Sequence, residues 1–578
     1  MKIGKKTKLF LLSSLLVYKG LFAQEIEAAI LPDASGSTIV TKKEIDSLNV
    51  QTLVELLNRL PGVSATESSV SLQGSSSKNV LVLMDGRPLN DPVTGLVNLR
   101  GISSHSIEQV EIIKGAGAVL YGDNTSGGVV IITTKKADKA YTNKIEALYG
   151  SFNTQKYAID LGTSISDIGV AAFGNYERSD GHRINGDSET KGGRIDINSV
   201  IAKEIDSRLS FNYSIKENGE AGKIFNPTPR ARSEKENMGS VLLLKYRGLN
   251  SRTYYNGFDD HYVNPDKNMD NRLNSKIVGE DIKWKGDVPK IGAFLVGLNV
   301  EACKAEATNI GEHDESLYST YAIKEFGLLD WPLSIKMGLR LNKYTEFGSS
   351  YNPEIGLIYK KNGWKMDIHV SRSSNTPTFR QRYYESTFIK GNPDLKMEKA
   401  TNYQLNLSSN IFRPFNWGIT AFYSGIEDGI TGLTKPDGIY TYENVSSSTR
   451  KGVEVNFDWQ IKPWLKVNAS YLYLIFKDDD TGLFLPNKPK HKAKANVNFS
   501  NSNWSMNFRG DYVSDSFNDS ANVEILEGYF VAGAKISYGF KKANFFVEIE
   551  NLFDKYYEVH SGYPAAGRTY SVGINYVF

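Results

Sequence analysis

From about Ala140 to its last residue the chain alternates apolar and polar positions. Tyr403, Leu405 and Leu407 are interleaved with Asn402, Gln404 and Asn406; Val453, Val455, Phe457 and Trp459 with Glu454, Asn456 and Asp458; Ala493, Ala495, Val497 and Phe499 with Lys492, Lys494, Asn496 and Asn498. A period of two puts successive side chains on opposite faces of a strand, so each run has one apolar and one polar face. That division suits lipid on one side and water or polar protein on the other, although a soluble sandwich shows it too. The repeat persists to the end, where Tyr570, Val572, Ile574, Tyr576 and Phe578 share one parity and Ser571, Gly573 and Asn575 the other. Stretches without alternation, 178–194, 216–238, 259–275, 372–398 and 477–490, read as the longer loops.

Residues 37–136 follow a different pattern. Within 49–60, Leu53, Leu56, Leu57 and Leu60 recur at helical spacing, and Pro61 with Gly62 stops the helix. A short buried strand, 80–84, runs into the turn signal of Asp85 and Gly86. Two β-branched runs, 107–113 and 129–134, bracket glycines at 115, 117, 122, 127 and 128. Glycine permits positive φ and close backbone approach, so this stretch predicts two strands joined by a tightly folded loop rather than a helix. Strand, turn and helix alternating over 37–136 predict a compact α+β domain.

Composition narrows the class. Aromatic residues make up 11% of the 578 residues, with 32 Tyr and 27 Phe, as membrane-interface girdles require. A formal charge of +3 gives no footing for nucleic acid. At the N-terminus, Lys2, Lys5, Lys6 and Lys8 precede the apolar run 9–17, and Ala23 follows, so 1–23 reads as a secretory signal peptide. No stretch reaches about 18 consecutive apolar residues, so residence in a membrane requires a closed barrel. The lone Cys303 has no partner for an internal disulfide and reads as an ordinary strand residue.

Three stretches carry a family resemblance: VLVLMDGRPLND at 80–91, LPGV at 60–63 and EIIKGAGAVLYGDNTSGGVVIITTK at 111–135. They resemble the plug of TonB-dependent outer-membrane receptors. GNPDLKMEKATNYQLNL at 391–407 and the closing VEIENLFDKYYEVHSGYPAAGRTYSVGINYVF resemble the barrel of the same family. The resemblance implies an about 22-stranded antiparallel transmembrane β-barrel, with the N-terminal α+β plug domain in its lumen. The plug then occupies 37–136 and the barrel 137–578, with a linker at 24–36. Within that linker Glu25, Ile26, Glu27, Ala28, Ala29, Ile30 and Leu31 stand where the family carries its TonB box, which pairs with the coupling protein by strand addition. Their match is positional. The family often has Ile-Arg-Gly where this chain has Leu72, Gln73 and Gly74.

No catalytic motif is present, and the seven histidines are too dispersed for a metal site, so no enzyme activity and no required cofactor is expected. The resemblance implies uptake of a scarce nutrient, a ferric siderophore or cobalamin, into the periplasm, driven by TonB with its ExbB/ExbD complex. It also implies a monomer seated in outer-membrane lipid and lipopolysaccharide. Ligand candidates on the plug loops are Gln73, Ser75, Ser76, Lys78, Asn90, Asp91, Asn98 and Arg100. Asp180, Asp187, Glu189 and Asp196 form an acidic stretch with oxygen ligands for Ca²⁺. Haem is disfavoured, because 376–395 lacks the histidine that haem receptors carry there. The terminal parity set, Tyr570, Val572, Ile574, Tyr576 and Phe578, resembles the signal read by the barrel assembly machinery. Compact size and short loops resemble cobalamin and small siderophore receptors. A passive porin and a structural or adhesive barrel without energy coupling are the alternatives.

Overall fold

The structure, a computed structural model, describes residues 37–578 apart from 49, 100–101, 116, 139–140, 203, 289–291, 329–330 and 436–437. The expected signal peptide, the linker with Glu25 to Leu31, and Arg100 lie outside the described residues. The first folded unit holds a five-stranded sheet of β1 (Thr38–Thr41), β4 (Val80–Met84), β5 (Arg87–Pro88), β6 (Ile107–Lys114) and β7 (Gly128–Thr134), ordered β1-β6-β7-β4-β5. A separate hairpin joins β2 (Val63–Ala65) and β3 (Val70–Leu72). The leucine repeat forms the helix Leu53–Arg59, whose N-cap Thr52 accepts the Glu55 amide. Its Leu53, Leu56 and Leu57 are fully buried against Val82, Val110 and Ile132 of the sheet.

From Lys144 to Val577, 22 strands close an antiparallel barrel, the last strand, Thr569–Val577, pairing with the first, Lys144–Gly150, through Ile574 and Ala147. Both ends of the barrel chain lie on one rim, whose turns are short. The opposite rim carries the longer connections, among them 180–187, 220–231, 376–397, 479–490, 514–528 and 551–568. Outer-membrane barrels keep short turns in the periplasm, so the long connections face outside. The aromatic girdles agree. All seven tryptophans, at 284, 331, 364, 417, 459, 464 and 504, lie at the short-turn ends of strands, whereas exposed Tyr149, Tyr157, Tyr351, Tyr403, Tyr512 and Tyr570 lie toward the loop ends.

The plug fills the lumen and is gripped from every side. Arg208 donates to Asp85 (3.3 Å) and to the Thr134 and Lys135 carbonyls (3.1 and 3.0 Å). Lys114 pairs with Glu454 at 2.6 Å. Lys494 donates to the carbonyls of Asn58 and Val63, each at 2.6 Å.

Two local expectations are corrected. The glycine-rich loop contains one helical turn, Ala118–Tyr121, framed by Gly117 and Gly122 at φ of 117° and 95°. Residues 178–194, 216–238 and 259–275 are largely strand, since Ser188–Ile201, Ile205–Gly219, Arg232–Tyr246, Leu249–Asn264 and Met269–Val288 run on into them. Beyond the lipid both strand faces are wet, so the ladder continues after the alternation ends.

Candidate functional site

A cavity of about 180 Å³ lies between the plug and the barrel wall, running from Phe379 beneath the long loops down to Gly86 beside Arg252, near the short-turn end of its strand. The plug contributes three turns. Asp85 and Gly86, with φ of 50° and 84°, reverse the chain between β4 and β5 as a two-residue hairpin requires. The loop 89–97 is pinned by Asn90, which accepts the Val82 amide (2.9 Å) and donates to the carbonyls of Val80 (3.0 Å) and Gly95 (3.3 Å). Asp91 accepts from the Val93 amide (3.1 Å), the Thr94 hydroxyl (2.7 Å) and, on the wall, the Ser275 hydroxyl (2.9 Å). In the third turn Asp123 accepts from Tyr344 (2.6 Å), Asn352 (2.7 Å) and Ser350 (3.0 Å) of the wall.

Burial pushes the Asp91 and Asp123 carboxyls above the usual carboxylate range, and the bonds each accepts oppose that rise without cancelling it. Burial likewise lowers the Lys78 amine, against the pull of nearby Glu398. The wall continues the polar lining. Arg340 donates to Asn299 (3.1 Å) and stands over the Tyr321 ring (5.0 Å), Tyr321 donates to Asp281 (2.7 Å), and Arg252 pairs with Asp281 at 3.3 Å.

The roof is the connection 376–397. Its helix Phe379–Tyr383 is opened by a capping box between Thr378 and Gln381. The Phe379 and Arg380 amides donate to the Pro92 and Val93 carbonyls at 3.4 and 3.0 Å, and Phe379 packs on fully buried Val93. An outer loop and a plug loop therefore close over the cavity as one unit. Five carboxylates and three cations line this space, among hydroxyls and amides, which makes it a hydrogen-bonding chamber without excess positive charge.

Of the plug-loop candidates, the cavity brings together Lys78, Asn90 and Asp91. Gln73 and Ser75 are buried beneath the plug surface, with the Leu72 amide donating to Ser75 Oγ at 3.1 Å. Ser76 stands at the start of the short helix Ser77–Asn79 without a side-chain capping bond, and Asn98 is half-buried away from the cavity lining. The acidic stretch is dispersed rather than gathered. Asp187 pairs with Arg232 (2.8 Å) and Glu189 with Lys191 (2.6 Å), Asp180 lies 3.7 Å from Arg178, and Asp196 is buried in the lumen beside Arg194 and Arg208. Glu189 and Asp196 have opposite parity on one strand and so face opposite sides of the wall. Among the described residues, no group of three or more His, Cys, Asp and Glu is placed to hold a metal ion. Tyr570, Val572, Tyr576 and Phe578 are exposed on the outward face of the closing strand, with Ile574 half-buried among them. The sequence reading missed Arg252, Asp281, Asn299, Glu301, Glu315 and Arg340. Their inward parity was the only signal, and it is shared by every lumen residue.

Comparison with known proteins completes the picture. The TonB-dependent receptor plug domain matches residues 33–129, and the TonB-dependent receptor-like β-barrel matches 132–552. The chain is 24% identical to the vitamin B12 transporter BtuB of Photobacterium profundum, covering 96% of this chain and 94% of that one. It is 27% identical to BtuB of Vibrio cholerae serotype O1, covering 93% and 92%. Its fold is similar to the siderophore receptor PirA from Acinetobacter baumannii (TM-score 0.79, 17% identity, 94% and 98% covered). It is also similar to the unliganded ferric citrate transporter FecA (TM-score 0.81, 17% identity, 94% and 97% covered). With a plug sealing a 22-stranded barrel and both family domains matched along the chain, the protein belongs to the TonB-dependent receptors of the outer membrane.

Proposed function

We propose that this receptor captures a corrinoid of the cobalamin class at the outer surface and passes it to the periplasm. The observation that carries this reading is likeness to vitamin B12 transporters along nearly the full length of both chains. A corrinoid is larger than the closed chamber, so its capture requires the roof 376–397 to open, and the chemistry of the lining then supports the reading. Ferric siderophores commonly bear net negative charge and call for a cationic basin, whereas carboxylates outnumber cations on this lining. A corrin rimmed with amides needs donors and acceptors of both kinds, and the lining mixes carboxylates, amides, hydroxyls and cations. Transport without a nucleotide site requires outside energy, and Glu25 to Leu31 is the segment for TonB, with its ExbB/ExbD complex, to pull by strand addition.

Equilibrium binding of cyanocobalamin and a panel of ferric chelates to the purified receptor tests the ligand. Saturable corrinoid binding is expected; saturable binding of a ferric chelate without corrinoid binding moves the protein to iron uptake. Deleting 25–31 is expected to abolish uptake in cells while leaving binding unchanged. Uptake that survives the deletion removes the energy-coupled mechanism.

A further inference from the structure

The periplasmic rim carries a groove separate from this cavity. It is an open groove of about 960 Å³ between two neighbouring periplasmic turns, 362–363 and 410–414, where the strands Trp364–Asn375 and Glu398–Ser409 pair. Lys360, Lys361, Lys365 and Arg413 line it, Lys361 on the parity of Trp364 and Lys360 and Lys365 on the opposite, lumen-facing one. The carboxylate among its described lining residues, Asp458, is already paired with Lys466 at 2.8 Å. The groove is therefore cationic on balance.

Its lipid side is apolar. Trp364 and Trp417 meet edge to face with ring centroids 5.6 Å apart. Strand parity sets Trp364 on the outward face with exposed Ile368, opposite the fully buried Asp367 and His369. The adjoining turn also exposes Ile411 and Phe412, which are 45% and 63% accessible. Adjacent exposed apolar side chains are unfavourable in water and suit the edge of the hydrocarbon.

We propose that this groove holds the phosphate headgroup of an anionic phospholipid of the periplasmic leaflet, with its acyl chains lying along Trp364 and Trp417. Positive charge alone would also suit an acidic periplasmic peptide. The tryptophan pair beside the cations selects a molecule that is anionic at one end and hydrocarbon at the other. Basic pockets at a membrane interface recognise such headgroups, and each cation contributes about fivefold in affinity.

The test uses the full-length receptor in phosphatidylethanolamine bilayers containing a minor fraction of phosphatidylglycerol, with either lipid brominated, and reads tryptophan quenching. Brominated phosphatidylglycerol is expected to quench at the lower mole fraction, and the difference is expected to vanish in Trp364→Phe/Trp417→Phe. Lys361→Glu/Arg413→Glu is expected to reduce the preference by more than about fivefold for each cation reversed, fivefold being the share of its lost positive charge alone. Heat-modifiable gel mobility reports whether the variants are folded barrels. If the charge-reversed receptor does not fold, Lys361→Gln/Arg413→Gln is used, with native mass spectrometry counting retained phosphatidylglycerol. Equal quenching by the two lipids, or a preference unchanged by charge removal, overturns the proposal. So does loss of coupling-protein binding in lipid-free micelles without any lipid preference, which would make the groove a protein-docking surface.

Discussion

Gly128 shows how little freedom single positions have at the plug's centre. A Cβ there would fall 2.1 Å from the Ile113 carbonyl oxygen, and its φ of +131° is one that side-chain-bearing residues avoid. Gly128→Ala is expected to cost more than about 2 kcal/mol of local plug stability. Limited proteolysis checks this: the plug should be cut while the barrel keeps its heat-modifiable mobility. Asp123 gives a pH effect of definite sign. Burial raises its carboxyl, so the folded chain holds that proton more tightly than the unfolded chain. The contribution to stability is greatest below the ordinary carboxylate value and is lost as pH rises from there through the raised value. Asp123→Asn keeps the shape and removes the titration, so plug melting should depend less on pH in the variant from about pH 4 upward. Equal pH slopes in parent and variant would assign the effect to another group.

Among elements, the roof helix Phe379–Tyr383 couples outside to inside. It is short, so it depends on its cap rather than on its own propensity. Thr378→Ala removes the capping box and is expected to cost about 1 kcal/mol. Because the same turn holds Pro92 and Val93 of the plug, hydrogen exchange should quicken in both segments. If the ligand is the proposed corrinoid, its dissociation should accelerate about fivefold. Exchange that quickens in the helix alone would show that the two loops are not coupled. The sequence made the elements legible wherever one face met lipid: the alternation at 402–407 and 453–459 lies within Glu398–Ser409 and Tyr440–Lys462. It was silent where no such contrast exists. Ala118–Tyr121 is too short to display a helical period, and 259–275 lies where both strand faces are wet.

At the scale of the molecule, the plug side of the chamber was partly legible, because Lys78, Asn90 and Asp91 are polar residues in a turn-rich stretch close together in sequence. The wall side was not. Arg252, Asp281, Glu301 and Arg340 meet only through the register of successive barrel strands, information that no local pattern carries. The same long-range register seats the plug, and the buried pair of Lys114 and Glu454 is its most exacting point. Both side chains are nearly inaccessible, Lys114 also donates to the Pro61 carbonyl at 2.8 Å, and Glu454 Oε2 has no hydrogen-bond partner. Removing one member of such a pair leaves a charge in a dry interface, at a cost of about 3–5 kcal/mol. That is large enough to loosen a domain held otherwise by scattered polar contacts. In planar bilayers the intact receptor should therefore stay closed, and Lys114→Ala should show transient conductance. Lys114→Ala/Glu454→Ala should be closed more often than the single variant, because no charge is then stranded. A single variant as tight as the parent would mean that the plug is held by its packing alone, and that the ion pair fixes register rather than strength.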